Sequence, residues 1–187
     1  AIDVYLPALE PGERESDRRY PTAFQTTRYH RSEETQRTQP ESDRMLLEAK
    51  QWTDNGYAFV MVDARGTGAS FGTRSGELSS SEIADYGDVL SWVAAQPWST
   101  GRIGAYGVSY GGDTAELMLR LSHPALKASA PLYSDFDSYD DLLMPGGVLN
   151  TWFGETWFGL TNALDEVPGW AEQLAQVSGV TLEEFRV

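Results

Sequence analysis

The strongest constraint on the fold is an alternation along the chain between short apolar runs and segments with helical spacing. The runs at 57–62, 103–108 and 127–133 have the length of strands, and we expect each to be buried. The first run is continuously apolar, which is typical of a strand covered on both faces. Because strand and helix alternate, the pattern predicts βαβ units, a parallel sheet with helices on both faces, and ligands beyond the carboxyl ends of its strands.

Turn and cap signals delimit the other predicted elements. Residues 2–6 and 20–26 resemble strands, and 10–19 a solvated loop. A helix over 45–52 has Ser42 as its predicted N-cap and ends at 54–56. The pair Ser79 and Glu82 has the spacing of a capping box before a second helix, which Pro97 ends. A third helix is predicted over 114–121, and after about residue 140 the sequence becomes aromatic and helical, with no further strand evident.

Composition restricts the possible partners. The chain has 28 acidic and 14 basic residues, a formal net charge of −14, and no cysteine. This charge repels phosphate backbones and anionic lipid, so we expect neither nucleic acid nor a membrane as a partner. Cysteine is absent, which excludes disulfides, thiolate metal sites and a cysteine nucleophile, but leaves the compartment open between cytoplasmic and secreted. Small molecules or short peptides remain as the expected substrates.

The segment 107–112, Gly-Val-Ser-Tyr-Gly-Gly, contains a G-x-S-x-G motif between the predicted strand at 103–108 and a helix that begins near Tyr110. This is the position of a nucleophile elbow, a strained turn that raises a serine hydroxyl above the strand ends. Gly107 and Gly111 would leave room for the tight turn, and Gly112 would let the helix pack close to the sheet. The pattern predicts Ser109 as the nucleophile and the Tyr110 amide as an oxyanion donor. The alternative is a glycine-rich turn with an incidental serine.

Several motifs together resemble the α/β-hydrolases of the cocaine esterase and Xaa-Pro dipeptidyl-peptidase group. The resemblance covers about residues 20 to 150 and implies an α/β-hydrolase fold, mostly parallel, that is incomplete at the C-terminus. With the composition shift after about residue 140 as the boundary, we expect the N-terminal part of a catalytic domain over 1–140 and the start of a helical cap over 141–187. The matching segments are 63–70 (Asp-Ala-Arg-Gly-Thr-Gly-Ala-Ser), 86–92, 96–98, 101–112, 123–127 (His-Pro-Ala-Leu-Lys) and 145–147 (Pro-Gly-Gly).

The resemblance also implies a second oxyanion donor. In this family the amide after the nucleophile acts together with a tyrosine hydroxyl from an early loop, and Tyr29 matches that tyrosine. The chain departs from the family at Arg28, where proline is usual. The alternative for Tyr29 is an aromatic side chain in a surface loop.

A catalytic serine needs a base, and the chain has two histidines. His123 lies 14 residues after Ser109, on the order of 20 Å away along a helix, and is expected to be structural. His30 does not fit the order serine, acid, histidine of these enzymes. We therefore expect the histidine and its acid beyond residue 187, in a chain that looks trimmed at both ends. Asp135 and Asp137 could instead supply the acid, or they are turn and cap residues.

Three further groups allow two interpretations each. Asp63 and Arg65 are expected to fix the glycine-rich loop by hydrogen bonds to its backbone, although substrate contact is an alternative. The aromatic residues at 152, 153, 157 and 158 either line an acyl pocket or form the buried stripe of a cap helix. The acidic cluster at 135–141 could attract an amine or a cation. No cofactor motif is present, and we expect no bound metal.

The sequence therefore predicts a serine hydrolase that cleaves esters or amides through an acyl-enzyme. One alternative is an amino-acid ester hydrolase or aminopeptidase that holds a free amine with acidic groups. Another is a non-catalytic fragment, because the 187 residues contain no credible base. We expect the isolated chain to be inactive. Its incomplete sheet would also leave an exposed edge strand, so we expect the isolated chain to be unstable or to associate, for example as a homo-oligomer.

Overall fold

The computed structural model describes residues 1–9, 11–31 and 44–165, which contain one five-stranded sheet. The strands are β1 (Ile2–Tyr5), β2 (Tyr20–Thr27), β3 (Ala58–Asp63), β4 (Ser99–Val108) and β5 (Leu126–Leu132). They lie in the order β1-β3-β2-β4-β5. Strand β1 is antiparallel to β3, and the other neighbouring pairs are parallel. The predicted mostly parallel sheet is confirmed.

From β2 onward, the α-helices alternate with the strands along the chain, as the sequence predicts, and one more α-helix follows the last described strand. The α-helices of the described part are α1 (Arg44–Asp54), α2 (Ser80–Ala95), α3 (Tyr110–Leu117) and α4 (Thr151–Asp165). Short 3-10 turns occur at Glu15–Asp17, Met118–Leu121 and Pro145–Gly147, and a π-helical turn at Ser138–Leu143. The predicted N-cap Ser42 lies outside the described residues, as does the end of the proposed cap region.

Side chains of β3 alternate between two apolar clusters, one on each face of the sheet. Val60 and Val62 pack with α2, whose buried face is formed by Ile83, Tyr86, Leu90 and Val93. Phe59 and Met61 pack on the opposite face with Ala49 of α1. Both faces therefore carry helices, which explains why the 57–62 run is continuously apolar.

The chain order creates a crevice between β2 and β4. From β2 the chain passes through α1 to β3 on one side, whereas from β4 it passes through α3 to β5 on the other side. In open α/β sheets ligands bind at such a reversal, beyond the carboxyl ends of the strands. Here Tyr29 follows the end of β2 and Ser109 follows the end of β4.

Two predicted elements differ from the structure. Strand β5 was expected to be buried, but it lies at one edge of the described sheet and its Leu132 side chain is 50% exposed. Within the described residues, β5 pairs only with β4, so its other edge has no strand against it. The helix expected to begin near Tyr110 does begin there, with Ser109 as its N-cap, but over the predicted interval 114–121 it continues only to Leu117 and is followed by a 3-10 turn from Met118.

Helix α3 approaches the sheet closely at Gly112. A Cβ atom built on Gly112 would lie 2.5 Å from the carbonyl oxygen of Leu132 in β5. Real Cβ atoms do not come this close to backbone oxygen, so any side chain here would push α3 away from β5. The absence of a side chain thus sets the distance between this helix and the strand beside it.

Gly112→Ala should lower the free energy of unfolding by about 1–3 kcal/mol, because the methyl group overpacks a rigid backbone contact. Gly104→Ala is the matched control, since its Cβ would lie 4.0 Å from the nearest atom, the Cβ of Ala128. Both changes restrict the unfolded chain equally, so the control should be neutral or slightly stabilising. Urea unfolding compares the two variants, and equal stabilities would contradict the packing described.

Candidate active site

Ser109 occupies a strained turn between β4 and α3. Its φ of 57° and ψ of −124° lie in a region that non-glycine residues seldom adopt, at a typical cost of about 1–3 kcal/mol. Its amide donates a hydrogen bond to the Leu132 carbonyl at 2.9 Å, and its carbonyl accepts one from the Asp113 amide at 2.9 Å. The residue is exposed. The surrounding backbone therefore holds this serine in an unfavourable conformation on the protein surface.

Close backbone contact explains the glycines of the motif. A Cβ on Gly107 would lie 2.8 Å from the Gly111 Cα and still closer to the Gly111 carbonyl group. A Cβ on Gly111 would in turn lie 3.2 Å from the Thr26 carbonyl oxygen at the end of β2. The prediction that small residues are required before and after the serine is confirmed.

Tyr110 begins α3, and its amide is among the first helical amides, which have no carbonyl partner within the helix. Its side chain is buried and donates a hydrogen bond to Glu82 Oε1. The Tyr86 hydroxyl donates to the same oxygen at 2.8 Å. Burial, followed by the nearby Tyr86 and Glu82, raises the pKa of Tyr110 above its ordinary value, so the phenol stays protonated.

Glu82 joins this cluster to the start of α2. The Ser79 hydroxyl accepts a hydrogen bond from the Glu82 amide at 3.3 Å, as the capping box predicts. Glu82 Oε2 accepts one from the Leu78 amide at 3.1 Å. The carboxylate is fully buried. The sequence identified Glu82 as a cap residue but gave no signal that it would also hold the Tyr110 side chain.

A cavity of about 440 Å³ opens beside the serine. Its sheet side includes Ser109, Tyr110 and Tyr29, and its apolar side is formed by Phe153, Trp157 and Phe158 of α4. Of the four aromatic residues of α4 that the sequence singled out, these three line the cavity and do not form a purely buried stripe. Trp152 does neither, since it is 74% exposed.

Tyr29 is fixed in this cavity by three neighbours. Its ring packs edge-on against Tyr110, with the centroids 6.1 Å apart. Its amide donates to Thr27 Oγ1 at 2.9 Å, and its hydroxyl oxygen accepts a hydrogen bond from the indole N–H of Trp157 at 2.8 Å. The structure thus brings together the three residues that the sequence selected, 29, 109 and 110.

Arg28 is fully buried beside Tyr29. Its guanidinium group forms ion pairs with Glu77 at 3.0 Å and with Asp165 of α4 at 2.8 Å. Arg74 pairs with the same two carboxylates, at 2.9 Å and 2.6 Å. The sequence showed Arg28 only as a departure from a family pattern and contained no sign of this network, whose members come from three segments that are distant along the chain.

Asp63 organises the glycine-rich loop as expected. Its carboxylate accepts hydrogen bonds from the amides of Arg31 at 2.7 Å and Ala69 at 3.0 Å. Arg65 differs from the expectation, since its guanidinium group binds Asp85 of α2 through two hydrogen bonds of 2.6 Å and 2.5 Å. It therefore attaches the loop to a helix and not to its own backbone.

Neither histidine lies among the residues that line the cavity beside Ser109. His123 Nε2 is 2.9 Å from Ser91 Oγ, and its Nδ1 accepts a hydrogen bond from the Ala125 amide at 3.2 Å. These contacts fit the structural role expected for His123. His30 has a φ of 67° and follows Tyr29.

Three acidic residues do line the cavity: Glu77, which is paired with Arg28 and Arg74, and Asp113 and Asp135. Asp113 Oδ1 accepts a hydrogen bond from the Asp135 amide at 2.9 Å. Burial, then the charges of Asp135 and Glu116, raises the pKa of Asp113. Burial and the charge of Asp141 raise the pKa of Asp135. Asp137 instead caps the turn at 138–143, where it accepts hydrogen bonds from two amides.

Two further properties of residues 1–9, 11–31 and 44–165, the ranges that the structure describes, concern metal binding and membrane insertion. In these ranges no three or more His, Asp or Glu side chains are arranged to hold a metal ion. None of the helices described there is long and apolar enough to cross a membrane.

Comparison with known proteins identifies relatives that are much longer than this chain. The provisionally assigned serine esterase Mb1866c of Mycobacterium bovis is 41% identical over 204 residues, which cover 100% of this chain and 31% of that protein. Cocaine esterase of Rhodococcus sp. (strain MB1 Bresler) is 38% identical over 97 residues, covering 51% of this chain and 17% of that enzyme. The chain thus spans about a third of the length of the first of these relatives.

A solved structure agrees with these matches. The CocE/NonD family hydrolase SACOL2612 from Staphylococcus aureus superposes with a TM-score of 0.72 and 27% identity, over 89% of this chain and 31% of that one. The X-Pro dipeptidyl-peptidase (S15) family matches residues 1–179. With its α/β-hydrolase fold, this chain belongs to the X-Pro dipeptidyl-peptidase (S15) family.

Proposed function

We propose that the full-length protein is a serine hydrolase that cleaves an ester or amide bond through an acyl-enzyme, with Ser109 as the nucleophile. The observation that carries this proposal is the strained conformation of Ser109, at φ 57°, on the exposed turn between β4 and α3. Backbone strain of this kind persists only where the surroundings enforce it, and it is concentrated at functional sites. The serine hydroxyl of such an elbow stands clear of the sheet and is accessible to a substrate carbonyl.

In the proposed reaction, Ser109 Oγ forms a bond to the substrate carbonyl carbon as its proton passes to a general base. The carbonyl oxygen becomes an oxyanion, and the alcohol or amine then leaves with a proton from that base. Water repeats the sequence, releases the acid and regenerates the serine. Because neither His30 nor His123 lines the cavity beside Ser109, and His123 is bound to Ser91 and Ala125, we assign the general base to a part of the full-length protein outside this chain.

The oxyanion would bind between the Tyr110 amide and the Tyr29 hydroxyl. Both residues line the cavity beside Ser109, and their rings contact each other. The Tyr110 amide belongs to the N-terminal turn of α3, where the helix dipole favours negative charge. Each such donor contributes about 3–4 kcal/mol to transition-state stabilisation in serine hydrolases.

The apolar wall formed by Phe153, Trp157 and Phe158 would receive the acyl group or a substrate side chain. Pockets of this composition bind small molecules through apolar contact and fix their orientation with a few polar groups. A small ester or amide, or a short peptide, is therefore the proposed substrate class.

A second candidate function is supported by Asp113 and Asp135, which line the same cavity. Their raised pKa values show that burial and neighbouring negative charge disfavour their ionised forms. A substrate ammonium group beside them would offset both effects, because an opposite charge favours the ionised carboxylate. The protein would then act on amino-acid esters or on peptides with a free amino terminus.

Labelling with a fluorophosphonate probe tests the leading proposal. The probe should modify the full-length protein at one serine, and Ser109→Ala should abolish the labelling because the hydroxyl that attacks phosphorus is gone. Ser138→Ala is the matched control, since Ser138 lines the same cavity and the proposed reaction does not use it. Undiminished labelling of the Ser109 variant would refute the proposed nucleophile.

The second candidate predicts a pH-dependent preference for free amines. Phenylalanine methyl ester should be hydrolysed with a kcat/KM about 10-fold above that of its N-acetyl form, since a charge-assisted hydrogen bond contributes about 1.5 kcal/mol or more. The pKa of Asp113 is raised from 3.8, so the preference is full between that raised pKa and the pKa of the substrate's own ammonium group, and it disappears as the pH falls through the pKa of Asp113. The general base titrates in the same way with both esters, so the ratio of their kcat/KM values does not depend on its protonation.

Asp113→Asn should remove both the preference and its pH dependence, while Asp137→Asn should retain them because Asp137 caps the turn at 138–143 and is not among the residues that line the cavity. An equal preference in the wild-type protein and the Asp113 variant would eliminate the amine-binding candidate and leave the simple esterase.

A further inference from the structure

The hydrogen bond between Trp157 and Tyr29 connects helix α4 to the proposed oxyanion hole. The indole N–H donates to the hydroxyl oxygen of Tyr29 at 2.8 Å, across 128 positions of sequence. A phenol oxygen can accept a hydrogen bond and donate its own proton at the same time. Since Trp157 has only a donor to offer, the Tyr29 proton has to point elsewhere.

Among the described residues, the structure provides no acceptor for the Tyr29 proton. Tyr29 lines the same cavity as Ser109. An accepted hydrogen bond polarises the O–H group and strengthens its capacity as a donor. The indole therefore does two things: it fixes the direction of the phenol and prepares its proton for an acceptor inside the cavity.

On the basis of the proposed function, we propose that Trp157 is a positioning residue for catalysis, which aims the Tyr29 hydroxyl at the oxyanion. The helix that carries Trp157 would then be part of the catalytic apparatus, although it contributes no reacting group. This role is additional to any contact that the indole ring makes with the substrate.

An ion-pair network holds α4 where this hydrogen bond needs it. Asp165, about two helical turns beyond Trp157, pairs with the buried Arg28 at 2.8 Å and with Arg74 at 2.6 Å. The Arg28 guanidinium carbon also lies 5.7 Å from the Trp157 ring centroid and 5.9 Å from that of Tyr29. Arg28 also immediately precedes Tyr29 in the chain, so this one residue contacts both partners of the hydrogen bond, Tyr29 and Trp157.

A buried arginine in this place needs its carboxylate partners, because an unpaired buried charge is strongly unfavourable. Releasing α4 would leave Arg28 with Glu77 alone and would remove the indole from Tyr29. The fold therefore couples the docking of α4 to the geometry of the proposed oxyanion donor through two separate contacts.

The experiment measures hydrolysis of p-nitrophenyl acetate and p-nitrophenyl butyrate by the full-length protein. Trp157→Phe, which keeps a ring but loses the N–H, should lower kcat on the order of 10-fold for both esters and change KM less than about two-fold. Trp152→Phe is the matched control on the same helix, since Trp152 is 74% exposed. It should leave both constants unchanged.

A double-mutant cycle separates positioning from packing. Tyr29→Phe alone should lower kcat about 10²- to 10³-fold, as the loss of an oxyanion donor does. Adding Trp157→Phe to that variant should cause no further loss, because the hydroxyl through which the indole acts is already absent. Full additivity would overturn the inference, as would a loss that occurs only with the longer acyl group, which indicates a contact with substrate.

A second variant keeps the test independent of the indole. Asp165→Asn leaves every cavity residue in place but weakens the attachment of α4, and it should also lower kcat more than it raises KM. Unchanged kcat in both the Trp157 and the Asp165 variants would refute the coupling. Fluorophosphonate labelling that does not depend on Ser109 would instead refute the proposed function itself. The two failures can therefore be distinguished.

Discussion

The close approach of two backbone segments, at Gly107 and Gly111, is the constraint on which the rest of the site depends. These residues lie before and after Ser109, and neither can carry a side chain without displacing backbone atoms. Their contact forces the serine between them to a φ of 57°. The same turn starts α3 at the next residue, so one local geometry sets both the exposure of the hydroxyl and the direction of the Tyr110 amide.

Three layers of structure keep this turn in place. Beneath it, β4 pairs with β2 and β5 in the sheet, and the Ser109 amide bonds to Leu132. Behind it, the buried Glu82 holds the Tyr110 side chain and joins α3 to α2. Across the cavity, α4 contacts Tyr29 and closes the apolar wall. The strain of the serine is thus supported by contacts that lie far apart in the sequence.

The sequence predicted those features that are determined by residues close to one another in the chain. The continuous apolar run at 57–62 predicted a doubly covered strand, and the spacing of Gly107 and Gly111 predicted the tight turn. Contacts between distant segments left no such signal. The burial of Arg28, the second role of Glu82 and the pairing of Arg65 with Asp85 depend on which helix reaches which loop. The exposure of β5 likewise depends on its neighbours in the sheet and not on its own composition.

In the proposed function, one strained serine and two oxyanion donors form a single acyl-transfer site. A crystal structure of the full-length protein carrying an organophosphonate on Ser109 tests it most directly. We expect Ser109 to keep its positive φ and one phosphonyl oxygen to lie about 3 Å from both the Tyr110 nitrogen and the Tyr29 hydroxyl. A relaxed serine with negative φ, or a phosphonyl oxygen bound by other groups, would contradict it.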